Sequence, residues 1–280
     1  MILVGVDLSE PSVTAARWAI AYLGDAADVV LVHAVDVPEP PFFLRGLYPP
    51  TEQLIENARR GAEARLRELI SSLRARVYSE VRVGRADEVL TSVATEVHAE
   101  LLVIGFHGER SGIWKVLGST AERVARSAPT SVLLGRRLPS DGPRRVLVAI
   151  DDSPATANVI EWGGRLAGAG AENALVMHVA NSLRLGEGHG AEHQRSETEA
   201  RRLTEQWMRS RLAGTALEPA TVHADFGDPG FQILAAIDRE GADMLVVGRH
   251  GSANARSGFM GSVVEFLLRN GNGPVLVVAP

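Results

Sequence analysis

Met244-Leu-Val-Val-Gly248-Arg-His-Gly251, followed after nine residues by Gly261-Ser262-Val263, is the stretch whose reading decides the fold. Four apolar residues ending in glycine predict a buried strand that stops where backbone must approach something closely. Val263, Val264, Phe266, Leu267 and Leu268 then open an apolar helix whose first N–H groups have no partner within the helix. Glycines without Cβ, a serine hydroxyl and a helix N-terminus together form a receptor for phosphate oxygens. The pattern occurs twice. Gly105-Phe-His107-Gly108, nine residues and Gly118-Ser119-Thr120 repeat it, with Gly105 and Gly248, and Gly118 and Gly261, each 143 residues apart.

Working outward from the first copy, strands alternate with helices. Ile2–Val6 reads as a strand, Asp7–Ser12 as turn and helix cap, and Ala15–Leu23 as a helix ended by Gly24. Val29–Val35 is a second strand. The loop 36–50 carries five prolines with Phe42, Phe43 and Tyr48, and a long amphipathic helix runs from Leu54 to Leu73. Val77–Val83, a helix through Val89–Val97, Leu101–Ile104, a helix over Ser119–Ser127 and Thr130–Leu134 complete the set. Such an order predicts a parallel sheet covered on both faces. From Arg145 the same order restarts. Val146–Ile150 ends in Asp151 as Ile2–Val6 ends in Asp7, and Ala174–Val179 matches Val29–Ala34. Leu203, Trp207 and Leu212 mark the second long helix. A register held this closely predicts duplication of a whole domain rather than a solenoid. The expected fold class is α/β, with two tandem doubly wound five-stranded parallel-sheet domains over 1–137 and 145–280 and a linker at 138–144.

Composition bounds the function. The 280 residues are 45% hydrophobic with a formal net charge of −5, which argues against a nucleic-acid or anionic-membrane partner. Cysteine is absent, excluding disulfides, thiolate metal sites and cysteine nucleophiles. No apolar run reaches the ~20 residues that span a bilayer. Asp7 follows an N-terminus without a basic region, so no signal peptide is expected and a cytoplasmic location is. There is no Gly-x4-Gly-Lys-Ser/Thr loop, His-Glu-x2-His or Gly-x-Ser-x-Gly motif. No catalytic set or metal site is assignable.

The paired Gly-x2-Gly-x9-Gly-Ser/Thr motifs, the two strand-ending aspartates and the two strand-two histidines resemble the universal stress protein family in its ATP-binding form. The resemblance covers essentially the whole chain as a tandem pair. It implies an adenine-nucleotide alpha hydrolase-like fold, strand order 3-2-1-4-5, and one ATP per domain, with Mg2+ carried by the phosphates. By the same resemblance Asp7 and Asp151 meet the base and ribose end, and Gly5 and Ala149 are close-approach backbone positions. Ala34 and Val179 line the adenine pocket. Gly105, Gly108, Gly118, Ser119, Gly248, Gly251, Gly261 and Ser262 hold ribose and phosphates, and Thr120 and Val263 contribute N–H groups. His107 and His250 sit inside the motifs and count among the expected nucleotide-binding residues, with loop ordering rather than metal binding as the other reading.

Other readings stand beside these. Asp7 and Asp151 are helix caps, ligand contacts or both. Arg110, Lys115 (the only lysine), Arg249 and Arg256 pair with phosphates or are solvated loop charges. His33 and His178 are expected to be packed and hydrogen-bonded. Valine at 261 is expected to block phosphate approach and to strain the backbone. The resemblance further implies intramolecular pairing of the domains through their fifth strands, with homodimerisation of chains possible. The function it implies is that of a nucleotide-dependent stress or dormancy regulator. The alternatives are a nucleotide-free scaffold of the same fold, working through protein contacts, and a slow ATPase.

Overall fold

The computed structural model describes residues 1–24, 27–36, 51–73, 77–106, 117–180, 191–251 and 260–280. The chain divides into two compact units, Met1–Ser140 and Asp141–Pro280.

Unit 1 runs β1 (Ile2–Gly5), α1 (Glu10–Leu23), β2 (Val29–Val35), α2 (Thr51–Ser72), β3 (Val77–Val83), α3 (Ala86–Glu96), β4 (Leu101–Gly105), α4 (Ser119–Ser127) and β5 (Ser131–Gly135). Its strands are parallel in the order β3-β2-β1-β4-β5. Ile2, Leu3, Leu31, Leu101, Leu102, Leu133 and Leu134 are fully buried, as side chains on a sheet covered on both faces must be. β3, at the edge, is the wetter strand, and Tyr78 and Val83 there are exposed.

Unit 2 repeats the plan with β6 (Val146–Ala149), α5 (Thr156–Ala167), β7 (Leu175–Ala180), α6 (Ala191–Leu212), β8 (Thr221–Phe226), α7 (Pro229–Glu240), β9 (Met244–Gly248), α8 (Ser262–Asn270) and β10 (Val275–Val278). A 3₁₀ turn, Gly168–Asn173, follows α5. The order is β8-β7-β6-β9-β10, again parallel. Both units therefore have the expected 3-2-1-4-5 arrangement. Chain order reverses between β1 and β4, and between β6 and β9, and the crevice beyond those strands' carboxyl ends is where open α/β sheets take ligands.

Local chemistry explains the joints. Gly84 and Gly227 turn β3 into α3 and β8 into α7 with φ of 140° and 124°, which side chains rarely adopt. Their N–H groups donate at 3.0 Å to the carbonyls of Val35 and Ala180, the last residues of β2 and β7. On α6, Met208 and Leu212 are fully buried, whereas Leu203, expected as a marker of the apolar face, is exposed. Packing against β8 selects Met208 in its place.

The expected linker is tied down at both ends. Trp18 Nε1 donates to the Pro139 carbonyl within unit 1 (3.1 Å), while the amides of Arg144 and Arg145 donate to the Asp243 carboxylate within unit 2. Among the described residues no helix is long and apolar enough to cross a membrane.

Candidate functional site

Each unit brings the strand-four glycine and the helix-opening glycine to the carboxyl end of its sheet. In unit 2 the Gly261 N–H donates to the Arg249 carbonyl at 2.9 Å, which sets the start of α8 against the residue that follows β9. A Cβ at Gly261 would stand 3.2 Å from that carbonyl and 3.7 Å from the Gly251 nitrogen. In unit 1 the Gly118 N–H donates to the Phe106 carbonyl at 3.3 Å, the same bond one repeat earlier.

Gly118 and Gly261 are the N-caps of α4 and α8, with φ/ψ of −63°/141° and −61°/145° and no side-chain cap bond. The first amides of both helices are thus left without a capping side chain, at the positive end of the helix dipole. Ser119 and Ser262 are exposed, and Thr120 and Val263 half-buried, in the turns that follow. These φ/ψ values are ordinary extended backbone. The strain expected for Gly261→Val is therefore absent, and the obstacle to a side chain there is steric alone.

The aspartates sit differently in the two units. In unit 1 the Asp7 carboxylate accepts from the Ser9 N–H (3.0 Å) and from the Ser9 hydroxyl. Ser9, not Asp7, is the N-cap of α1. Between them Leu8 has a φ of 67°, a left-handed conformation costing a leucine ~1 kcal/mol, held by the Asp7–Ser9 bonds. In unit 2 the N-cap of α5 is Ala155, and the Thr156 hydroxyl donates to the Asp151 main-chain carbonyl. Asp151 Oδ2 lies 3.2 Å from the Cβ position of Gly251. One strand end and the glycine loop thus meet at a carboxylate, which a side chain at 251 would have to push aside by a few tenths of an ångström.

The strand-two histidines are packed and bonded, as expected. His33 Nδ1 lies 2.6 Å from the Val6 carbonyl, and His178 Nδ1 lies 2.8 Å from the Ile150 carbonyl. Each pins the end of β2 or β7 to the residue ahead of Asp7 or Asp151. Ala34 and Val179, next along, are half-buried near those strand ends, and Ala149 is half-buried at the end of β6.

Three glycines have roles inside the protein. The Cβ position of Gly5 falls 2.8 Å from Leu90 Cδ1 and 2.9 Å from Ile104 Cγ2, so its missing side chain makes room for α3. That of Gly105 falls 3.1 Å from the Ser12 nitrogen, where the start of α1 crosses β4. Gly248 meets Ala155 and Val159 of unit 2 in the same way, with Ala155 Cβ at 3.3 Å. His250 is half-buried. His107, Gly108, Arg110, Lys115, Arg256, Phe42, Phe43 and Tyr48 lie outside the described residues.

Arg249 is not a solvated loop charge. It is 6% exposed, and desolvation lowers its guanidinium pKa. Its counterpart Phe106 is 2% exposed and lies under the guanidinium of Arg136, 4.1 Å from the ring centroid. Arg136 is also buried and its pKa is lowered, chiefly by desolvation and then by Arg137. Among the described residues each unit buries an arginine here, Arg249 just beyond β9 in unit 2 and Arg136 just beyond β5 in unit 1.

The universal stress protein family model matches residues 1–136 and again 142–279. The chain belongs to the universal stress protein family. A universal stress protein of Mycobacterium tuberculosis is 28% identical over 304 residues, covering 99% of this chain and 95% of its own length. A universal stress protein of Mycolicibacterium smegmatis is 28% identical over 294 residues, covering 100% of this chain and 97% of its own. Among solved structures, a universal stress protein from Archaeoglobus fulgidus superposes with a TM-score of 0.71 at 19% identity, over 99% of this chain and 97% of that one. At that identity the likeness is one of fold.

Within this family member, sequence reasoning missed several residues that build the site. Ser9 organises Asp7, and a serine two residues after an aspartate was the available signal. Thr156 fixes the Asp151 turn, and Trp207 packs edge-on against His178 with ring centroids 5.2 Å apart. Trp207 reads in the sequence only as a helix marker, and its contact with His178 carries no local signal because 29 residues separate the two.

Proposed function

We propose that each unit binds one ATP at the carboxyl end of its sheet and that the chain acts as a nucleotide-dependent stress or dormancy regulator. The observation that carries this reading is the glycine-capped helix start, present in both units without a capping side chain and folded back onto the strand-four glycine loop. A triphosphate is the chemistry that uncapped amides at a helix N-terminus and side-chain-free backbone favour. Asp7 and Asp151 would accept hydrogen bonds from ribose hydroxyls, and Ala34 and Val179 would border the base. The residues fit the ligand at Gly251 and Gly261, where a Cβ would crowd the cradle. Mg2+ would neutralise the phosphates. In this reading the Mg2+ is carried by the phosphates.

In this reading the protein holds nucleotide rather than turning it over, and occupancy biases a surface seen by a partner. Pairing of the two units through β5 and β10, and dimerisation of chains, are part of the same proposal. A nucleotide-free scaffold is the second reading. It is favoured by Gly5 and Gly105, whose missing side chains are accounted for by Leu90 and by α1.

Thermal unfolding with and without Mg-ATP separates the two. At about 100 times Kd, binding adds ~2.7 kcal/mol to a unit that binds. A shift that grows with ATP concentration is expected. No shift at millimolar Mg-ATP, with no nucleotide retained on purification, favours the scaffold.

A further inference from the structure

The two units differ where their third and fourth helices meet. In unit 1, Asp87 in the first turn of α3 is 8% exposed and pairs through Oδ2 with Arg85 (3.0 Å) and with Arg123 Nε of α4 (2.9 Å). Asp87 Oδ1 is buried and has no hydrogen-bond partner among the described residues. Arg85 also pairs with Glu88 (3.2 Å). Arg123 has no second polar partner among the described residues, although its side chain is 45% exposed, so both Nη groups are available. In unit 2 the residues 143 positions on are Asp228, Gly230, Phe231 and Phe266, and charge is replaced by an aromatic contact. The Phe231 and Phe266 rings lie 4.8 Å apart, and Phe266 occupies the Cβ space of Gly230.

Arg123 stands four residues after Ser119, one turn along the same helix face. Helical side chains lean toward the N-terminus, so Arg123 covers the turn that the glycine cap opens. A buried carboxylate that fixes Nε leaves the guanidinium fork oriented with its outer N–H groups unspent, the form suited to a phosphate. Resting on the nucleotide reading above, we propose that Arg123, positioned by Asp87, recognises the terminal phosphates in unit 1. At the position equivalent to Arg123, unit 2 carries Phe266 instead of a cation. The two sites therefore rank nucleotides differently, with unit 1 selecting for phosphate number and unit 2 less steeply.

The test uses the full chain with one site blocked at a time: Gly261→Val to isolate unit 1 and Gly118→Val to isolate unit 2. Equilibrium binding of ATP and AMP is measured at fixed Mg2+ and salt. The ATP-to-AMP affinity ratio should be about ten-fold higher in unit 1. Arg123→Gln should lower it about ten-fold with AMP binding unchanged, Arg123→Lys by less, and Asp87→Asn in the same direction as Arg123→Gln. Equal loss of ATP and AMP binding in Arg123→Gln, or an unchanged ratio while the unit still binds both, overturns the proposal. If the unblocked chain binds no nucleotide, the underlying reading fails instead, and this proposal with it.

Discussion

The amide of Gly261 donates to the carbonyl of Arg249 at 2.9 Å, and this bond joins the start of α8 to the end of β9. A Cβ at 261 would press on the same carbonyl at 3.2 Å. Valine there should cost little backbone energy, because φ is −61°, but its methyl groups would enter the space before the first helical amides. The expected outcome is loss of one bound nucleotide per chain, with unit 1 still occupied, read by equilibrium dialysis. Loss of both would show that the sites are coupled.

His178 and His33 make the same contact in the two units, each to the carbonyl just before the aspartate. His178→Ala removes that partner and the edge packing of Trp207. It should destabilise unit 2 by about 1–3 kcal/mol, the penalty for stranding a part-buried polar group. Urea unfolding is the check. A change within error would mean that water replaces the ring at no cost.

Glycines in helices give a paired prediction. Gly61, in α2, has nothing within 4 Å of its Cβ position, so Gly61→Ala should stabilise unit 1 by ~0.5–1 kcal/mol through helix propensity. Gly163, in α5, would place a Cβ 2.6 Å from Val148 Cγ2 and 3.0 Å from Leu217 Cδ1. Gly163→Ala should therefore destabilise unit 2 despite the same propensity gain. Shifts of opposite sign in the denaturation midpoint support the packing described, and stabilisation by both would contradict it.

Acid stability should carry the mark of Glu96. Its carboxyl is held down at about 2 from an ordinary 4.5 by the two-bond grip of Arg82 and by the Ser92 hydroxyl. A depressed folded pKa means stability that is complete above about 4.5 and fades as the pH falls toward 2. Arg82→Gln should flatten that part of the stability–pH curve and raise the Glu96 titration midpoint, measured by NMR. A midpoint left near 2 in Arg82→Gln would assign the shift to another cause.

The fold was legible because both faces of each sheet are covered. That demand writes strands such as Leu101–Gly105 and Met244–Gly248 as unbroken apolar runs, and duplication lets each half check the other. The glycine corner was legible for the same reason, as a spacing repeated in register. Contacts made by topology were not. Asp87 and Arg123 lie 36 residues apart and meet only because α3 and α4 pack together. Arg249 looks from its neighbours like any loop charge, and its burial is a fact of tertiary structure. Gly5 reads as a ligand-approach position, yet the atoms filling its Cβ space belong to Leu90 and Ile104. Composition marked 138–144 as a linker, and the bonds from Trp18 and to Asp243 at its two ends carry no signal in the sequence.

The central claim is tested most directly by counting ATP per chain at saturation, by equilibrium dialysis with Mg2+, in the unaltered protein and in the Gly118→Val/Gly261→Val double variant. Two per chain falling to none in a double variant that remains folded is the predicted result. No binding to the unaltered chain at millimolar ATP, or binding that survives both substitutions, would contradict it.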